Sequence, residues 1–306
     1  MADKFKIAIC VSGQTRHINN NPVYTQDFLE VLDLFSEYDY DLFGHTWSDQ
    51  EDPNDAVLNK FAEYRSDDQR IIWDTINDPT AYQQPESRPV WPQFFTTGQN
   101  WFEKTDYQDI INGTSDKSYI DFAKERINGS IGQVWSAMES FLLTKKHWVS
   151  NNYRFVVKIR WDCQINNYVY ANERIEDKKK EFKETLWLWT NHEGKFDWNY
   201  GNKIAGATCL TATDCFIEDG PFYANDHLYV IRGDAFEDRI LNFTAIHTFE
   251  NMIKRVAGGK GFVPSAHTLW AQWLLSRDLA CSPLLYDLIQ PNGPAPDDKP
   301  NKNWET

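Results

Sequence analysis

The chain has 306 residues, 41% hydrophobic and 25% charged, and a formal net charge of −14 from 45 acidic and 31 basic side chains. That length makes one large domain or two small ones, and the apolar content is too high for a disordered chain. The acidic balance argues against tight DNA or RNA binding, which needs Lys and Arg to displace counterions from phosphates, yet it leaves room for a local basic pocket around one small phosphorylated ligand.

Ile7 to Val11 is an apolar run, too short for the h-region of a signal peptide, and is predicted to be a strand leaving into the loop Ser12-Gly13-Gln14-Thr15-Arg16. Asn21-Pro22 looks like a helix start, and Phe28, Leu29, Leu32 and Phe35 recur at helical spacing through Val23–Phe35. Tyr40–Phe43 is predicted as a second strand, closing at Gly44-His45-Thr46-Trp47. Strand, helix and strand in so short a span make a βαβ unit, whose usual solution is a parallel sheet.

From Ser48 to about Asn128 the chain is polar and broken by prolines 53, 79, 85, 89 and 92. We expect a strand at Arg70–Asp74 and otherwise a long irregular insertion. Gly129–Trp148 carries Val134, Trp135, Met138 and Phe141 on one stripe and is predicted helical. Tyr153–Ile159 is a β-branched and aromatic strand ending in Arg160-Trp161-Asp162. Glu173–Lys183 should be an exposed helix, followed by a strand at Thr185–Thr190. Phe222–Ile231 is a further strand region, with Gly233-Asp234 opening a helix over Ala235–Phe243. Ser265–Leu275 is the last helix and Ser282–Ile289 a returning strand. The domain therefore spans residues 1–290, with an irregular insertion at 48–128, and residues 291–306 form a disordered tail by composition.

No window of 18 apolar residues occurs, so no transmembrane helix is expected. Cysteines 10, 163, 209, 215 and 281 are scattered and odd in number, with no CxxC knuckle. That usage fits a reducing cytoplasm.

Four places carry candidate chemistry. The Ser12–Arg16 loop follows a first strand, where open α/β sheets bind ligands; glycine admits close backbone approach and Arg16 offers a fork for phosphate. A plain strand-to-helix turn would use the same residues. Lys158-Ile159-Arg160-Trp161-Asp162 ends a mid-chain strand, where Asp162 can ligate Mn²⁺ or Mg²⁺ and Arg160 lies on the same side; a structural ion pair has the same signature. Asp226, in Asn225-Asp226-His227, is either a carboxylate for an acceptor hydroxyl or a turn cap. His267 can complete a metal site and His45 can contact a ligand, although a lone histidine is more often an ordinary polar residue.

Taken in order, these motifs resemble a family. Ile7-x-Ile9-Cys10-Val11-Ser12-Gly13-Gln14-Thr15-Arg16, then Phe43-Gly44-His45-Thr46-Trp47, then the strand ending in Arg160-x-Asp162, then Asn225–Ile231, are similar to phage and bacterial glycosyltransferase-like proteins of the GT-A kind. The resemblance runs over roughly residues 5–275, leaving the 48–128 insertion uncovered. It implies a GT-A fold, a Rossmann-like, mostly parallel sheet flanked by helices, in a cytoplasmic enzyme of a bacterial or phage-infected cell. It also implies transfer of a sugar from a nucleoside diphosphate donor, UDP-linked as the first expectation, to a saccharide or other hydroxyl acceptor. Ser12, Gly13, Gln14 and Arg16 would then bind the nucleotide, with His45 and Lys158 beside it. Arg160 and Asp226 would be the catalytic pair, and Asp162 with His267 the Mn²⁺ or Mg²⁺ site. The sequence departs from the family's Asp-x-Asp at Arg160, so that either Asp162 holds the metal with a distant partner or Arg160 supplies part of the metal's charge. Two rival expectations stand beside this one: a non-catalytic glycan-binding module with tryptophan platforms, and an enzyme that glycosylates modified bases in phage DNA.

Overall fold

The computed structural model describes residues 5–15, 18, 22–48, 53, 55–68, 132–166, 172–191, 208–211, 227–241, 270, 274, 279, 281–282 and 288–291. The expected strand at 70–74, the rest of the insertion up to 128 and the C-terminal tail past Pro291 lie outside them; Pro291, the tail's first expected residue, closes the last strand. In chain order come β1 (Lys6–Ser12), α1 (Pro22–Asp33), β2 (Asp39–Trp47), the single turn α2 (Asp55–Leu58) and β3 (Phe61–Asp67). Helical residues 132–143 (α3) precede α4 (Lys145–Asn151), β4 (Phe155–Arg160), β5 (Cys163–Ile165) and α5 (Asn172–Asn191). Then follow β6 (Cys209–Thr211), β7 (Leu228–Arg232), α6 (Gly233–Phe236) running into a π-helical turn (Glu237–Leu241), β8 (Cys281–Ser282) and β9 (Ile289–Pro291).

Seven strands form one sheet in the order β3-β2-β1-β4-β7-β6-β8. β3, β2, β1 and β4 are mutually parallel, β7 is antiparallel to β4 and to β6, and β8 is parallel to β6. The chain is thus a mixed α/β protein with a mostly parallel central sheet flanked by helices, as the sequence led us to expect. β5 and β9 pair separately, antiparallel.

The period-two alternation of the strands divides the core in two. Ile7, Ile9, Val11, Phe155, Val157 and Ile159 face Phe28, Leu32 and Phe35 from α1 and its exit, and Phe182, Leu186 and Trp189 of α5. Ala8, Cys10 and Val156 face the other way, onto Val134, Trp135, Met138 and Phe141 of α3 and onto Trp148 and Phe236. Both faces are covered at the centre of the sheet, so β1 is an almost unbroken apolar run, as central parallel strands are.

Three local expectations are corrected. Thr185–Thr190 is not a strand but the last turns of α5: Phe182, Leu186 and Trp189 are buried at helical spacing, and the Thr190 hydroxyl donates back to the Leu186 carbonyl at 2.6 Å. The third parallel strand, Phe61–Asp67, lies inside the stretch read as irregular; FAEYRSD is too polar to announce itself, because it forms the sheet edge and only Asp67 in it is buried. Of the return expected over Ser282–Ile289, the described ends lie in different sheets, β8 on β6 and β9 on β5. Among the described residues no helix is long and apolar enough to cross a membrane.

Candidate functional site at the C-terminal edge of the parallel strands

Parallel strands end together, so β1, β2, β3 and β4 deliver Ser12, Trp47, Asp67 and Arg160 to one edge of the sheet. Ser12 sits opposite Arg160, and Trp47 opposite Asp67. Two of the sequence candidates, the first loop and the Arg160–Asp162 segment, are therefore neighbours.

The loop turns at Gly13, whose φ of +102° is one that side-chain-bearing residues rarely adopt. No described atom lies within 4 Å of the point a Cβ would occupy, so glycine is required by the backbone and not by crowding. Its polar groups are held from two sides. The Gly13 N–H donates to Ser136 Oγ at 2.7 Å and the Thr46 hydroxyl donates to the Gly13 carbonyl at 2.9 Å. Gly13→Ala should cost about 1–2 kcal/mol from backbone strain, a Tm fall of a few degrees in a chain this large, and should abolish any thermal shift produced by a nucleotide. Retention of that shift would remove Gly13 from the site.

Behind Gly13 lies a buried polar chain. His45 is fully buried, its Nδ1 2.9 Å from Ser136 Oγ and its Nε2 3.2 Å from Asp67 Oδ2. Asp67 in turn accepts from Arg65 Nε at 2.9 Å. An Nδ1-protonated neutral ring would turn the Nε2 lone pair onto the Asp67 carboxylate, so Nε2 carries the proton and Nδ1 accepts from the Ser136 hydroxyl. Burial holds the imidazole below its ordinary value, offset in part by Asp67, and the ring stays neutral. Burial alone would raise the Asp67 carboxyl, but the His45 N–H and the Arg65 guanidinium outweigh it and the group titrates below its usual range. Glu139, one turn along α3 from Ser136 and 3.8 Å from Arg65, is driven by burial up to about 8.

Arg160 and Asp162 form a two-pronged pair, Nε to Oδ1 and Nη2 to Oδ2, both at 2.7 Å, with side chains 15% and 6% exposed. Lys158 is buried, its ammonium 5.1 Å from the Trp270 ring centre and 5.5 Å from that of Tyr229, so it faces an aromatic pair inside the sheet. Arg16, Asp226 and His267 lie outside the described residues. Among the described residues no three His, Cys, Asp or Glu side chains converge to hold a metal ion. Both Asp162 oxygens meet the guanidinium, so a hard divalent cation would compete with Arg160 for the carboxylate.

Ser136, Asp67, Arg65 and Glu139 were not singled out from the sequence. Asp67 was hidden in the stretch read as insertion. Ser136 and Glu139 left no signal: at helical spacing they fall off the stripe of Val134, Trp135, Met138 and Phe141, and they are interior only because 134–141 of α3 are buried on every side.

No protein-family model matches the chain, and no curated protein matches it. Among solved structures, the chain is similar to mouse xyloside xylosyltransferase 1 in its apo form, with 10% identity and a TM-score of 0.36 over 93% of this chain and 84% of that one. It is also similar to the galactosyltransferase LgtC in complex with donor and acceptor sugar analogues, with 9% identity and a TM-score of 0.25 over 83% of this chain and 71% of that one. At these TM-scores the likenesses assign no residue and no substrate.

Proposed function

We propose that the chain is a GT-A glycosyltransferase that moves a sugar from a nucleoside diphosphate donor, UDP-linked in the first instance, to a hydroxyl acceptor. The observation that carries this reading is the meeting of the Gly13 turn, met by no described atom on its Cα face, with Arg160 on the neighbouring strand at the C-terminal edge of a parallel sheet. That edge is where open α/β folds hold phosphorylated ligands. Ser12, Gln14 and Arg16 would receive the diphosphate, and Gly13 would make the turn that presents them. Arg160, with its charge already in place, would offset the negative charge that builds on the leaving diphosphate. Asp162 holds the guanidinium plane, and Asp226 is the carboxylate for the acceptor side. Lys158, under its two rings, would act on a phosphate only through the field it adds. A divalent ion would need His267 and release of Asp162 by Arg160.

The rival reading, a glycan-binding module with tryptophan platforms, loses support among the described residues. Trp47, Trp135, Trp148, Trp161, Trp189 and Trp270 are buried, and Trp187 is the exposed one.

The test is a thermal-shift screen of UDP, GDP, CDP and ADP, each with and without Mn²⁺. A ligand at ~100 times its Kd adds about 2.7 kcal/mol to the folded state, a shift of roughly 5 °C at this size. A rise with one diphosphate that does not need Mn²⁺ is expected. A rise that requires Mn²⁺ would return the ion to Asp162, and silence from all four would sink the reading. Asp162→Asn should lower turnover by roughly 10²-fold by freeing the Arg160 fork, with circular dichroism unchanged. Full turnover in that variant would take both residues out of the site.

A further inference from the structure

We propose that Ser136, oriented by His45, is a positioning residue that clamps the Gly13 peptide for the phosphate-bearing ligand. The inference rests on the nucleotide-binding reading of this edge and assigns it parts that the sequence did not reveal. The N–H and the carbonyl of Gly13 are both spent inside the protein, on Ser136 and Thr46. The backbone at Gly13 is therefore not a donor to the ligand. What the clamp supplies is a fixed direction for a turn that glycine would otherwise leave loose, since glycine has the largest backbone freedom to lose.

The clamp is assembled from four separate elements, and each link fixes the next. Ser136 has one hydroxyl proton and two acceptors in reach, His45 Nδ1 at 2.9 Å and the His45 carbonyl at 3.3 Å. The shorter contact takes the proton and leaves the oxygen lone pairs turned to the Gly13 N–H. That choice depends on an unprotonated Nδ1, which Asp67 enforces by accepting from Nε2, and Arg65 holds Asp67 in turn. Ser136 and His45 are both fully buried, so no water substitutes for either. His45 consequently acts through Ser136 and does not touch the ligand. The Trp161 indole N–H donates to the His45 carbonyl at 2.9 Å and ties the Arg160–Asp162 segment to the same frame. The clamp thus sets the spacing between the turn and Arg160, the two parts that would share a diphosphate. Preorganising both removes an ordering cost from binding.

The experiment measures, on the full chain, the Kd of the diphosphate that stabilises the wild-type protein, alongside Tm. Ser136→Ala should weaken that affinity about tenfold, the equivalent of one lost hydrogen bond. Thr46→Val, which releases the other side of the same glycine, the Gly13–Gln14 peptide, with no change of shape, should weaken it similarly, and it serves if Ser136→Ala folds poorly. Tyr153→Phe is the control: its hydroxyl donates to Asp41 near the opposite edge of the sheet, so it should lower Tm with no change in Kd. If Ser136→Ala and Thr46→Val lower Tm but keep the wild-type Kd, the clamp is structural only and the proposal is overturned. A wild-type chain that binds none of the four diphosphates overturns the functional reading itself, and the clamp's role with it.

Discussion

Glu139→Gln is expected to stabilise the protein by roughly 3 kcal/mol near pH 7, and by more near pH 8. The Glu139 carboxyl is 1% exposed and burial raises it from 4.5 to about 8. Arg65 at 3.8 Å draws it down and the Asp67 carboxylate pushes it up, and neither overcomes the loss of water. The sign follows from which state holds the proton. Below the unfolded value both states are protonated and the group is neutral to stability. Above that value the unfolded chain releases a proton that the folded chain must keep, so stability falls by about 1.4 kcal/mol per pH unit. The loss levels off once the folded group ionises, near 8. Glutamine has the shape of the protonated acid and no proton to hold, so it removes the penalty. Urea denaturation of both proteins at about pH 5, 7 and 8 measures it, and the gap should widen with pH. His45, lowered by burial, contributes a pH dependence of the opposite sign, which is common to both proteins and cancels in the difference. A gap that stays constant with pH would mean that Glu139 is ionised throughout.

Gly233→Ala should be the most damaging small substitution among the described residues. A Cβ there would sit 2.0 Å from the Tyr153 carbonyl oxygen and 3.0 Å from that of Arg154. Both are backbone atoms, so no side-chain rotation relieves the clash. The close approach is itself a bond, since the Gly233 N–H donates to the Arg154 carbonyl at 2.9 Å and joins the end of β7 to the entry of β4. Retreat would break that hydrogen bond and lift Phe236 from its stack on Trp148, where the ring centres are 5.1 Å apart. We expect a loss of about 3 kcal/mol or more, seen as a Tm fall of roughly 5 °C or more. A fall of less than about 2 °C would show that the β7–α6 corner has slack.

The sequence was most informative where local pattern and burial coincide. β1, α1, β2, α3 and β4 could all be placed, because each buries a continuous apolar face that leaves a period of two or 3.6 in the residues. It failed at β3 and at the end of α5. Phe61–Asp67 has neither alternation nor an apolar run, and it is a strand because β2 offers it an edge. Leu186-Trp187-Leu188-Trp189 suits strand or helix by composition, and the packing of Leu186 and Trp189 beneath the sheet decides for helix.

By itself the sequence determined the α/β class and the strand-to-loop turn at Gly13. It put Arg160 and Asp162 on one side of a strand end while leaving open whether they pair or hold a metal, because it reads only neighbours one or two residues away. The tertiary structure alone decided that the turn and the pair stand side by side, and that Asp162 spends both oxygens on Arg160. It alone brought Ser136, His45 and Asp67 into one chain behind Gly13. Those partners are separated by 22 to 123 residues. No pattern within a window of residues encodes such a meeting; the parallel sheet does, by ending its strands together at one edge.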